Sequence, residues 1–233
     1  MRGQVVAQTL ETRTLPRVVA VGFNKCGTRG LGQLFAAAGH PMVHNKLRGK
    51  FKVSHSIGRL MRDNLAAGRK VFDGAQEYTF YCDLIYTTPK AAYDGASAYR
   101  EILRDYPDTI LLLNTRDRES WIKSRLRHGH GHFAKVQMQA HGVTTESEIC
   151  DIWRSEWDAH HRQLTDFMAD KSDQLIVFDI QKDKIEDLIA RLPGYGLDAK
   201  HWQDIGRSRD RKMHPLKAWV KRQLALHKPR LYR

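Results

Sequence analysis

The 233-residue chain has 39 Lys and Arg against 26 Asp and Glu, a formal charge of +13, with 41% hydrophobic and 28% charged residues. That length and apolar content exclude intrinsic disorder and fit one α/β domain, while the charge favours anionic partners: nucleic acid, acidic lipid, acidic glycan or a phosphorylated cofactor. No stretch reaches the roughly 18 apolar residues of a spanning helix, residues 1–15 lack the apolar centre of a secretory signal, and Cys26, Cys82 and Cys150 are odd in number, far apart and without metal-ligand spacing, so a reducing, cytoplasmic location is expected.

Residues 1–16 are polar and aperiodic and end on Pro16, which predicts a flexible N-terminal arm before a domain over 17–205. Val18 to Val21 form a short β-branched run. Gly22-Phe23-Asn24-Lys25-Cys26-Gly27 follows, and Leu31, Leu34, Phe35 and Ala38 then recur at helical spacing, so the unit reads as strand, glycine loop, helix. Pro41 to His44 is a second short strand. A helix should open at Ser54 or Ser56 and run to Gly68. Tyr78 to Cys82 is a strand closed by Asp83, and Ala91 to Arg104 reads as a helix. The continuous apolar run Thr109 to Leu113 suits a central parallel strand, with another helix starting near Glu119. Thr145 and Glu148 form a capping box ahead of a long helix to Met168, whose Trp153, Trp157 and Phe167 are expected in the core. Leu175 to Phe178 is a last strand, and Lys184 to Leu192 a last helix stopped by Pro193-Gly194. Residues 206–233 form a basic C-terminal segment with a short helix over 216–226. Strands alternating with helices imply right-handed crossovers and a three-layer sandwich around a mostly parallel sheet.

The glycine loop has the chemistry of a phosphate cradle. Helix N-terminal N–H groups have no intrahelical acceptor, the helix dipole is positive there, and glycine lets an anion approach the backbone. Lys25 adds a full charge. It is not a Walker A sequence, in which the lysine directly follows the last glycine and precedes Ser or Thr. After the central strand, Arg116 and Ser124 lie eight residues apart. A guanidinium offers a planar fork to phosphate oxygens, and a hydroxyl on the next helix adds a neutral donor.

Lys25-Cys26-Gly27-Thr28 after a strand resembles the 5′-phosphosulfate loop of the sulfotransferase family, and Arg116 with Ser124 resembles that family's 3′-phosphate pair; the wording is close to the compact bacterial branch. The likeness spans roughly Val18 to Ile180. It implies the P-loop nucleotide-hydrolase-like sulfotransferase fold and transfer of a sulfuryl group from 3′-phosphoadenosine-5′-phosphosulfate to a hydroxyl or amine. It also implies a donor site of Lys25, Cys26, Gly27, Thr28, Arg29, Gly30, Arg116 and Ser124, with no metal. Lys25 would neutralise the leaving phosphate. Family members use a histidine or a carboxylate as base, commonly beyond the third strand, which leaves both Asp83 and His44 open. The Lys-Gly-rich C-terminal segment of the hormone- and phenol-type members has no copy here; Gly206 to Lys212 is basic and similarly placed.

Other readings compete at several positions. Asp73 precedes a glycine and reads as a turn. His128-Gly129-His130-Gly131-His132 reads as a mobile lid rather than a metal site, and adjacent His160 and His161 cannot share one helix face. A P-loop nucleotide or small-molecule kinase is the alternative enzyme, weakened by the missing Gly-Lys-Ser/Thr and Mg²⁺-holding pair. A nucleic-acid-binding protein is supported by charge alone. The acceptor is a small molecule or a glycan, with an acidic glycan slightly favoured by the charge. The sequence specifies no oligomeric state.

Overall fold

The computed structural model describes residues 15–47 and 55–202. The expectations for the arm up to residue 14, for Ser54 as a cap and for the basic segment 206–233 lie outside the described residues.

In chain order the elements are β1 (Val18–Ala20), α1 (Thr28–Ala37), β2 (Met42–His44), β3 (Lys46–Leu47), β4 (His55–Ser56), α2 (Ile57–Ala66), β5 (Phe80–Cys82), β6 (Ile85–Thr88), β7 (Ala91–Asp94), α3 (Tyr99–Asp105), β8 (Ile110–Thr115), α4 (Arg118–Leu126), α5 (His132–His141), α6 (Glu146–Phe167), β9 (Leu175–Asp179) and α7 (Ile185–Ala190). A five-stranded sheet in the order β2-β5-β1-β8-β9 forms the centre, and every pairing in it is parallel. β3–β4 and β6–β7 are antiparallel pairs outside it.

Strand periodicity explains the three layers. Val19, Val21, Tyr81, Leu111 and Leu113 point to one face, where they pack with Ile57 and Met61 of α2, Ile102 of α3 and Leu164 of α6. Their neighbours Val18, Ala20, Phe80, Cys82 and Leu112 point to the other, onto Leu31, Leu34 and Phe35 of α1 and Leu188 of α7. Successive residues of a strand face opposite ways, so strands covered on both sides must be apolar throughout. A third cluster, built on Phe23, Trp121, Trp153 and Trp157, packs the glycine loop against α4 and α6.

Most local expectations match. Ser56 caps α2 by accepting from the Arg59 N–H, Asp117 caps α4 at Ser120, and Thr145 with Glu148 forms the reciprocal capping box of α6. Two expectations are corrected. Ala91 to Arg104 is not one helix: Ala91–Asp94 pairs as a strand with Ile85–Thr88, and Tyr86 lies opposite Tyr93. The aromatic pair and the β-branched Thr87 and Thr88 favour the hairpin, and Asp94 then caps the following turn at Ala96. The His-Gly run is not all loop either: it turns through Gly131 into α5, a helix absent from the sequence reading. Among the described residues no helix is long and apolar enough to cross a membrane.

Replacing Thr145 by Ala removes one half of the capping box and should cost about 1 kcal/mol, or about 2–4 °C in melting temperature for a domain of this size. Differential scanning calorimetry checks it; a fall above about 8 °C would mean that α6 depends on more than its cap.

Candidate functional site

The register of the sheet sets where the candidate residues meet. β1, β5 and β8 run side by side, with Val19 opposite both Tyr81 and Leu111, so their carboxyl ends open at one edge. Such edges hold ligands where the chain order reverses. From there project the loop Gly22 to Gly27 after β1, Asp83 after β5, Arg116 after β8 and His44 at the end of β2, paired with Cys82.

The loop is held by its carbonyl groups. His160 Nε2 donates to the Val21 carbonyl at 2.7 Å, and Trp121 Nε1 to that of Asn24 at 2.9 Å. Arg116 Nη1 donates to the Lys25 carbonyl at 3.3 Å, and Asn114 Nδ2 to that of Cys26 at 2.7 Å. Asn114, fully buried, also accepts from the Gly22 N–H at 3.0 Å, so one side chain ties both ends of the loop. A trans peptide points its N–H opposite to its C=O. Fixing the carbonyls of Asn24, Lys25 and Cys26 therefore aims the N–H groups of Lys25, Cys26 and Gly27 the other way.

Two residues make this curvature possible. Lys25 and Gly27 both adopt left-handed backbone, φ 71° and 76°; alternating right- and left-handed residues turn successive N–H groups into an anion-binding concavity. At Gly27 this conformation carries no Cβ penalty, whereas at Lys25 it costs on the order of 1 kcal/mol, the kind of strain found at ligand sites. A Cβ on Gly22 would lie 1.8 Å from the Asn114 carbonyl oxygen, so no side chain fits there. α1 then starts with no side-chain cap and no acidic residue in its first turn, which leaves its positive end for a ligand.

Cations surround the cradle. Burial lowers the Lys25 pKa first, the neighbouring Arg29 and Arg116 charges lower it further, and Asp83 opposes them. Arg29 is exposed on the first turn of α1. Arg116 has a buried Nε without a partner, an unused donor beside the loop. Ser124 lies buried on α4. Cys26 is fully buried, which pushes its thiol up and keeps it neutral, and Thr28 and Gly30 are buried on α1.

Asp83 and His44 come together. Their closest atoms, Asp83 Oδ2 and His44 Nε2, are 3.7 Å apart, and the same nitrogen lies 3.2 Å from Thr28 Oγ1. Asn45 Nδ2 donates to the Asp83 and Ile85 carbonyls, and Asp83 takes a left-handed φ of 57°. Thr28, His44, Asp83 and Lys25 thus form one polar cluster, with an acid and a histidine at its edge. His128, the first residue of the His-Gly run, sits in the field of Lys25: burial lowers its pKa first, and Lys25 adds to the effect. Asp73 instead caps an exposed turn, accepting from Gln76.

Three contributors went unread in the sequence. Asn114 sat in view as the polar residue ending an apolar strand. His160 and His161 adjoin on one helix and share no face, yet each has its own work: His160 holds the Val21 carbonyl, and His161 pairs with Thr115 Oγ1 at 2.9 Å. Arg125 is 2% exposed among aromatic rings, and nothing in the local pattern of α4 marks it. Among the described residues no group of three or more His, Cys, Asp or Glu side chains could hold a metal ion.

Asn114→Ala should leave the Gly22 N–H and Cys26 carbonyl buried without partners, at about 1–3 kcal/mol each. A denaturant melt should show a loss of about 2–5 kcal/mol; a loss below about 1 kcal/mol would remove Asn114 from its central place.

A family model described as a sulfotransferase domain matches residues 17–191, a span that contains β1, the loop, Asp83 and β8 to α4. No curated protein matches the chain.

Proposed function

Because the chain belongs to the sulfotransferase family and is therefore an enzyme that transfers sulfuryl groups, we propose that its donor is 3′-phosphoadenosine-5′-phosphosulfate and that the loop Gly22 to Gly27 holds the donor's 5′-phosphosulfate. The observation that carries this reading is the cradle itself: three backbone N–H groups turned away from pinned carbonyls, an uncapped helix end and Lys25 beside them. Lys25, Cys26, Gly27, Thr28, Arg29 and Gly30 make up this part of the site. Arg116 and Ser124 take the 3′-phosphate, and the unpartnered Arg116 Nε is the donor such a phosphate would use.

In the transfer step the acceptor oxygen or nitrogen forms a bond to sulfur. The bond from sulfur to the bridging oxygen breaks, and the electron pair leaves on the 5′-phosphate. Lys25 and the loop N–H groups meet that developing charge, the position where preorganised donors act most strongly. The acceptor proton goes to Asp83, with His44 positioning it from 3.7 Å and bracing Thr28. Positioning and charge stabilisation supply the catalysis, as they do in phosphoryl transfer.

Isothermal titration with 3′-phosphoadenosine-5′-phosphate tests the donor reading. Binding should be measurable and should weaken about 10–100-fold in Arg116→Ala, since a charge-assisted contact contributes about 1.5–3 kcal/mol. Absent binding, or binding indifferent to Arg116, would overturn it.

Lys25→Ala should reduce transfer by about 10²–10³-fold with a melting temperature within a few degrees of the parent. Asp83→Asn should lower kcat while leaving donor affinity within about threefold. An Asp83→Asn enzyme of full activity would move the base to His44.

A further inference from the structure

A second concavity opens beside the loop and shares only Phe23 with it. It is a cavity of about 250 Å³ between the β6–β7 hairpin, α5, α6 and the loop, reached by the loop through Phe23 and by the segment after Asp83 through Ile85. Asp83 of the polar cluster lies near enough for its charge to act on both Asp94 and Arg125 of the cavity wall, so the cavity neighbours the cluster from which transfer would start.

Its wall carries polar atoms that the protein leaves unpaired. Arg125 is fully buried, its guanidinium carbon 4.6 Å from the ring centres of both Trp121 and Trp153, and its Nε and Nη1 have no hydrogen-bond partner. Asp94 uses Oδ1 to cap Ala96 and leaves Oδ2 without one. Tyr93 Oη is unpartnered as well, while His141 Nε2 lies 4.0 Å from a Glu156 carboxylate oxygen. Buried polar atoms are normally paired, with protein or with water, so the three side chains Arg125, Asp94 and Tyr93 offer a ligand in this cavity donors and acceptors that the protein does not use.

The charges decide what kind. Two carboxylates, Asp94 and Glu156, line the cavity with one guanidinium, that of Arg125, on which both charges act, and Glu156 also pairs with His141. Burial raises the Asp94 carboxyl to about 6 and lowers the Arg125 guanidinium to about 10, and the charge of each opposes the shift of the other. His160 is lowered by burial to about 4 and stays neutral. An anionic ligand would meet Asp94 and Glu156, and a cationic one would meet Arg125. Groups that both donate and accept satisfy the mixed wall, and hydroxyls do so without charge. The aromatic and aliphatic faces of Phe23, Tyr99, Ile85 and Ala159 suit the C–H faces of a ring. The volume lies below the roughly 300–1,000 Å³ of sites for drug-sized ligands.

We propose that this cavity is the acceptor site, and that the acceptor is a neutral polyhydroxylated compound of monosaccharide size whose hydroxyls bind Asp94 and Arg125. The inference rests on the sulfotransferase reading above, and it replaces the acidic glycan that net charge favoured.

The test uses the full chain saturated with 3′-phosphoadenosine-5′-phosphate and saturation-transfer NMR against neutral hexoses, pentoses and inositols, with hexosamines and hexuronic acids of equal size alongside. Neutral members should bind, and the charged ones at least tenfold more weakly. Asp94→Asn, which keeps the Ala96 cap, and Ala159→Leu, which fills the cavity without touching Arg125, should each weaken sugar binding more than tenfold, with nucleotide affinity and melting temperature held. No neutral binder, equal binding of the charged congeners, or sugar binding indifferent to both variants would overturn the proposal. Failure of the nucleotide titration would instead sink the donor reading, so the two failures are distinguishable.

Discussion

The site depends on one constraint, the capture of the glycine loop's carbonyl groups by side chains from β8, α4 and α6. Asn114, Arg116, Trp121 and His160 come from distant parts of the chain, and each takes a different carbonyl. A short loop left to itself would satisfy those groups with water and sample many conformations. Held at four points, it keeps Lys25 and Gly27 in left-handed backbone and its N–H groups turned outward before any ligand arrives. Preorganisation of this kind lets oriented dipoles act without reorganising during the reaction.

Packing and chemistry are therefore hard to separate here. Phe23 stacks on Trp121 at 5.3 Å and lies 4.8 Å from His160, so the aromatic cluster that fixes the loop also forms a wall of the second cavity. Arg125 stands where the two meet, between Trp121 and Trp153, with its charge felt at Cys26 on one side and Asp94 on the other. The positive field of the loop and the mixed field of the cavity are then neighbours of opposite preference. One favours an anion; the other presents both signs of charge.

How much of this the sequence disclosed follows from the range of the interactions. Local signals are legible: the apolar run Thr109 to Leu113, the capping box at Thr145 and the strand-to-helix turn at Gly22 to Gly27. The approach of His44 to Asp83 was half legible, since both were placed at strand ends but nothing in one dimension says that β2 and β5 are neighbours. The hairpin over Ile85 to Asp94 escaped because Ala91 and Ala92 have helical propensity that the cross-strand Tyr86–Tyr93 pair overrides. Arg125 escaped for a stronger reason. An arginine on a helix reads as solvated even one turn from a tryptophan, and its burial is completed by Phe133 of α5 and Trp153 of α6, which lie beyond its own helix.

The most direct measurement follows the loop itself. Amide chemical shifts of ¹⁵N-labelled protein, recorded while 3′-phosphoadenosine-5′-phosphate is added, should show the Lys25, Cys26 and Gly27 N–H resonances moving downfield together as they donate hydrogen bonds to the phosphate oxygens. Large shifts elsewhere with these three unmoved would contradict the account.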